Sequence, residues 1–202
     1  MPGVYLLHDP ATNFLKIGRA TNLDDRLANL RTANPRLVLL EWIETKFESS
    51  VESYVHNRLS VYRREGEFFE VTPEQAKQEI EDALTLLAQK PDETELQQIN
   101  ALVTTEPARD AINSELELIN EILKIRAELQ KLNLKEGVLI DRLKISIGAS
   151  AGLDNWATFK SVMRQTIDVQ ALRREYPEIA DRFSTRSTSR TLRIQPFIRQ
   201  RD

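Results

Sequence analysis

The sequence predicts an α+β protein: a small three-stranded antiparallel sheet flanked by helices, then a long helix or helical hairpin, then a small α+β C-terminal module. Three observations carry this. Two short β-prone runs, GVYLLH (3–8) and NFLKIG (13–18), flank the turn-rich Asp9-Pro10-Ala11-Thr12. Helix-period apolar patterns alternate with further β-prone runs as far as residue 90. A seam of Leu and Ile in steps of three and four runs from Leu118 to Leu143.

The first two runs read as a hairpin. With residues 9–12 as its loop, His8 faces Asn13 and Tyr5 faces Lys16, and directly opposed residues share a face. His8 reads as structural. Asn22 caps a short helix with Asp24 and Asp25 in its first turn, where acidic groups suit the positive end of the dipole. Leu23, Leu27 and Leu30 form its buried stripe, with Arg26 beside it. Residues 37–44 (LVLLEWIE) supply the third strand. Val51, Val55, Leu59 and Tyr62 give residues 49–63 a helical period, and Glu52 and His56 lie four apart at its core-facing edge. EFFEV (67–71) is extended, and Pro73 opens a helix running to about Lys90.

Pro91 marks the first boundary, so residues 1–90 form one domain and 91–147 an acidic, largely helical region. Its seam is interrupted only at Glu136, and Gly137 beside it leaves a hairpin bend open. GASAG (148–152) breaks the chain before a basic module over 148–202. There residues 159–167 alternate as a strand with a basic outer face, Asp168 caps a helix that Pro177 interrupts, and 188–195 read as a last strand.

Composition narrows the chemistry. Cysteine is absent, which excludes disulfides, thiol nucleophiles and Cys-based zinc sites. With two histidines in 202 residues, any metal must be held mainly by carboxylate oxygen, favouring Mg²⁺ or Mn²⁺. No apolar run is long enough to span a membrane and the N-terminus has no secretory pattern, so a cytoplasmic protein is expected. The net charge of −3 hides a gradient: residues 143–202 carry 11 basic and 6 acidic side chains. A basic end suggests a polyanion partner.

A hairpin tyrosine, several cations and a helical carboxylate suit metal-assisted phosphodiester hydrolysis. Lys16, Arg19 and Arg26 are placed to depress the Tyr5 pKa and make it a base. Glu52 offers a hard oxygen for one divalent ion, and Arg26 can neutralise charge growing on the phosphoryl group. This reading needs Tyr5, Arg26 and Glu52 to open into one pocket. The plainer alternatives are a half-buried packing role for Tyr5, a helix-surface pair for Glu52 and His56, and an Arg26 stem covering apolar surface.

GVY at 3–5, KIG at 16–18, Arg26 within NLDDRLANL, ESYVH at 52–56 and the following RREGEFFEV resemble the GIY-YIG nuclease superfamily, in particular its phage Orf-type DNA-binding branch. The resemblance covers about residues 1–85. It implies an endonuclease using one divalent ion, Mg²⁺ or Mn²⁺, with Tyr5 as general base, Arg26 as phosphate-stabilising group and Glu52 as metal ligand. His56 would orient phosphate or share proton transfer, and Lys16 and Arg19 would contact DNA or tune the site. Two positions depart from the pattern: Lys16 replaces the second signature tyrosine, and the Asn found near the domain end in many family nucleases has no counterpart.

Residues 110–195 resemble the C-terminal module of YqaJ-type viral recombinases, through Trp156 and Lys160, Ile167-Asp168 with Leu172, Pro177-Glu178 and Ser189-Arg190. That family's catalytic core has no counterpart here, so the resemblance implies a docking appendage. Its candidate DNA contacts are Lys160, Arg164, Arg190 and Arg193, with Arg173, Arg174 and Arg186 further cations; guanidinium forks suit phosphate oxygens. A recombination or replication protein is the alternative partner for the module. The plain reading makes these charges the solvated face of a fold cored by Trp156, Phe159, Met163 and Phe183. The seam at 118–143 makes a homodimer an expected assembly. The sequence therefore supports a DNA endonuclease of phage or mobile-element type; a catalytically silent DNA-binding adaptor and a coiled-coil assembly protein remain the other readings.

Overall fold

The computed structural model describes residues 1–185 and 190–194. The chain divides into two units, Met1–Leu96 and Gln97–Asp202.

The first unit is built on a four-stranded antiparallel sheet in the order β3-β1-β2-β4. Strands β1 (Gly3–Asp9) and β2 (Phe14–Ala20) form the hairpin. Its register is two residues off the expected one: Tyr5 lies opposite Gly18 and Lys16 opposite Leu7. The cause is the loop. Asn13, expected to pair with His8, instead sits inside the turn at a φ of 61°, a conformation Asn tolerates better than most residues. The Asn13 amide donates to the Asp9 carbonyl at 2.8 Å, and His8 Nε2 meets Asn13 Oδ1 at 3.0 Å. A two-residue slip preserves parity, so Tyr5 and Lys16 keep a common face.

β1 is central and both its faces are covered. Val4 and Leu6 join Leu15, Ile17 and Phe69 in one cluster with α2 (Glu48–Arg58) and α3 (Pro73–Ala88). Tyr5 and Leu7 join Leu27 and Leu37 in a second, on the side of α1 (Leu23–Ala33). Asn22 caps α1 as expected, its side chain accepting from the amides of Asp24 and Asp25 at 3.0 and 3.4 Å. Strand β3 (Val38–Glu44) flanks β1, with an irregularity between Leu6 and Leu7. Helix α2 ends earlier than its period suggested: Ser60–Tyr62 form a 3₁₀ turn, and Tyr62 faces out rather than in.

The fourth strand is the main departure from the expected three. Phe68–Phe69 pairs with Lys16 and Leu15 as β4. Two residues are too few to announce a strand; the Phe69 side chain, fully buried in the α2/α3 cluster, is what anchors it. Helix α3 then starts at a full capping box, Thr72 with Gln75, and a first-turn proline.

In the second unit, α4 (Glu93–Ala101) crosses the division between the units and α5 (Asn113–Ile147) is one unbroken helix of 35 residues. It passes through Gly137 without a bend, so the hairpin option is closed. A minimal hairpin of β5 (Gly152–Leu153) and β6 (Ala157–Thr158) follows. Residues 159–167, expected as a strand, belong to neither helix nor strand; alternation alone makes no strand without a partner to pair with. Asp168 does cap α6 (Val169–Glu175), and Pro177 opens α7 (Pro177–Arg182). Of the strand expected at 188–195, residues 190–194 are in no strand and the rest lies outside the described residues. The anticipated C-terminal core is also absent: Trp156, Phe159, Met163 and Phe183 are all exposed. Among the described residues no helix is long and apolar enough to cross a membrane.

Candidate phosphodiester site at the edge of strand two

Strand β4 covers only Leu15 and Lys16 of β2, so the edge from Ile17 to Ala20 has no strand beside it. Helix α2 takes that place. His56 Nε2 lies 2.9 Å from the Ile17 carbonyl oxygen. A carbonyl can only accept, so Nε2 carries the proton there. The imidazole also packs against the Phe69 ring at 5.1 Å between centroids. One turn earlier on α2, Glu52 reaches Arg19 on β2, Oε2 to Nε 2.8 Å.

On the α1 side of the same strand lies Tyr5. Its ring crosses Gly18, where a side-chain carbon would overlap the phenol. Arg26, on α1, donates from Nε to the phenol oxygen at 3.3 Å. Lys16, also nearly buried, ion-pairs with Glu67 at 2.5 Å and lies 5.2 Å from the Phe68 ring centroid. Glu67 was missed in the sequence as a site residue. The sequence carried no local signal for it: the contact with Lys16 spans 51 positions and follows from the β4 pairing that the fold creates.

The electrostatics differ from expectation in one respect. Burial raises the Tyr5 pKa above its ordinary 10, and the hydrogen bond and charge of Arg26 do not offset it; Glu67 and Glu52 push it up further. Lys16 and Arg19, expected to help depress it, are each engaged by a carboxylate instead. Arg26 is held more firmly protonated by the phenol. For Glu67, burial works upward, but the Lys16 hydrogen bond with the charges of Lys16, His56 and Arg26 outweighs it, leaving the carboxyl below its ordinary value. Tyr5 is fully buried, so the expected pocket open to all three key side chains is not found. Arg19 is the exposed group at this edge; Glu67 and Arg26 are partly exposed, and Glu52 less. A groove of about 570 Å³ elsewhere on this unit is lined by His8, Asn13 and the start of α3, and holds none of these residues.

The set thus brings together Tyr5, Arg26, Lys16 and Glu67 on one side of β2, Arg19 and Glu52 on the other, and His56 at the edge between. Glu52 and Glu67 are close enough for their charge to act on both Tyr5 and Arg26. Lys160, Arg164, Arg190 and Arg193 belong to the second unit, all exposed and outside helices and strands; Arg190 donates to the Ile99 carbonyl oxygen at 3.2 Å. Arg186 lies outside the described residues.

Among the described residues no three His, Asp or Glu side chains cluster as a metal cage. The donors available are Glu52 and Glu67, and Mg²⁺ is commonly held by one or two carboxylates plus substrate phosphate oxygens. A site of Lys16, Arg19 and Arg26 against two carboxylates has a net positive charge, which suits a phosphate arriving with its ion rather than an ion resident alone.

No curated protein and no solved structure gives a match. The match that is found stops short of the residues likened to YqaJ-type recombinases and lends that likeness no support: residues 3–84, the span holding the whole four-stranded sheet and every residue of this edge site, match the family model of the T5orf172 domain.

Proposed function

We propose that the N-terminal unit grips a DNA phosphodiester at the open edge of β2 and hydrolyses it with one Mg²⁺ or Mn²⁺ held by Glu52. The observation that carries the reading is the gathering of Arg26, Arg19 and Lys16 with Glu52 and Glu67 around an edge that no strand occupies. The T5orf172 match adds a phage-type domain of DNA-binding, nuclease-like class.

Arg19 exchanges Glu52 for a phosphate oxygen, which frees the carboxylate. Arg26, pinned by Tyr5, faces the same phosphate with a fixed fork. His56, its Nε2 proton given to Ile17, orients the α2 edge. The ion, when bound, supplies charge neutralisation on the phosphoryl and leaving oxygens. Tyr5, the general base by resemblance, is fully buried in this structure and must be uncovered before it can act there; its raised pKa then demands a cleavage rate that climbs with pH without levelling off below about 10. In the second unit Lys160, Arg164, Arg190 and Arg193 add phosphate contacts or dock a recombination or replication protein; each phosphate contact steepens the salt dependence by about 0.9.

A second reading is favoured by the buried phenol and the already paired cations: an adaptor that binds the backbone without cutting. Supercoiled-plasmid cleavage with Mg²⁺ or Mn²⁺ separates the two. Cleavage by the wild type, lost by about a hundredfold or more in Glu52→Gln and in Tyr5→Phe, supports the enzyme. Salt-sensitive DNA binding with no cleavage at any pH establishes the adaptor.

A further inference from the structure

Helix α5 stretches roughly 52 Å and bears an apolar seam open to solvent: Leu118, Ile125, Leu129, Leu132 and Leu139 are each more than half exposed. The alternating steps of four and three assign Leu118, Ile125, Leu132 and Leu139 to heptad position d, and Ile122, Leu129, Glu136 and Leu143 to position a. The flanking g positions are then Glu121, Glu128, Lys135 and Arg142: acidic in the first half, basic in the second. The e positions are Ile119, Arg126, Asn133 and Ile140.

We propose that α5 pairs with α5 of a second copy of this chain as an antiparallel coiled coil. The seam then overlaps from end to end, with Leu118 against the partner's Leu143, Ile122 against the partner's Leu139 and Leu129 against the partner's Leu132. In an antiparallel pair g faces g. That sets Glu121 beside the partner's Arg142 and Glu128 beside the partner's Lys135, and two-fold symmetry repeats both pairs. Ile119 and the partner's Ile140 widen the apolar strip on the e side. Glu136 meets the partner's Ile125.

A parallel pair fits worse on two counts. It buries Glu136 against the partner's Glu136 inside the seam. It also sets g against the e position five residues on, where only Glu121 finds an opposite charge, in the partner's Arg126. The seam alone is silent on direction; the split of charge along g and the acidic a position decide it. The one contact Glu128 makes within its own helix, with Lys131 at 3.9 Å, is exposed and easily exchanged. The dimer does not depend on the phosphodiester reading of the first unit.

The chain has no cysteine, so introduced thiols report orientation cleanly in the full-length protein. Ile122→Cys and Leu139→Cys are made as separate variants. In the antiparallel register each would lie about 25 Å from its own copy but opposite the other, so oxidation should link dimers only when the two variants are mixed. Sedimentation of the wild type should show a concentration-dependent dimer. Glu128→Lys should raise its dissociation constant about tenfold, with Lys135→Glu in the same chain restoring it. Linking by either cysteine variant alone would overturn the orientation. A wild-type chain that stays monomeric, or whose seam is covered only when another protein is added, would overturn the dimer.

Discussion

Tyr5 and Gly18 face each other across the β1–β2 ladder, and the phenol lies where any side chain at 18 would have to go. Gly18→Ala should therefore destabilise the first unit by roughly 1–3 kcal/mol through overpacking, read from urea unfolding. Combining it with Tyr5→Leu should recover part of that loss, since the clashing ring is gone. The Lys16–Glu67 pair makes a different prediction. Glu67 titrates below its ordinary 4.5 in the folded protein, so its contribution is present above that value and fades as pH falls through the lowered one. Thermal unfolding of wild type and Glu67→Gln should differ at neutral pH and converge in acid. A gap independent of pH would mean the carboxylate charge does not matter. The loss falls on Lys16: a nearly buried ammonium is left without its partner.

At the scale of elements, the open edge that carries the candidate site exists because β4 is short. Two residues of pairing leave the outer edge of β2 from Ile17 to Ala20 without a strand, and α2 fills the gap with the His56 to Ile17 hydrogen bond. The chain after β4 turns at once into α3, whose start is held by the Thr72 hydroxyl accepting from the Gln75 amide at 3.2 Å and the Gln75 side chain accepting from the Thr72 amide at 2.9 Å. Thr72→Ala should cost about 1 kcal/mol, while Thr72→Ser should retain most of it; chemical denaturation of the two variants measures the difference. In α5 the glycine at 137 costs about 1 kcal/mol relative to alanine yet does not break the helix. Its neighbours Leu132, Lys135, Glu136 and Leu139 are all strong helix formers.

For the whole molecule, both apolar clusters draw only on residues 4–87. Beyond Leu96 the single large apolar side chain buried among the described residues is Ile147. A fragment of residues 1–96 should therefore unfold cooperatively with nearly the stability it has in the intact chain, as followed by circular dichroism against urea. A fragment that fails to fold, or loses most of its stability, would show that the second unit supports the first. The same division separates the two proposals: the candidate edge site draws on residues from Tyr5 to Glu67, and the proposed pairing draws on α5.

What the sequence determined by itself was local. The Asn22 cap, the Leu23, Leu27 and Leu30 stripe, the helix opened by Pro73, the Asp168 cap and the helical period of the 118–143 seam depend on neighbours within one or two turns, and their signals are complete within a short window; that the seam runs through Gly137 as one helix was decided by the structure. Tyr5, Arg26, Glu52 and His56 came from a motif order spread over residues 1–85, and their expected opening into one pocket is not what the fold gives. Only the tertiary structure decided the hairpin register, the fourth strand, the partner of Lys16 and the direction of the Tyr5 pKa. Each of these turns on desolvation or pairing between residues far apart in the chain, as Lys16 and Glu67 are. The strand expected at 159–167 had the right alternation and no partner to complete it: a strand is a property of two segments, and a helix of one.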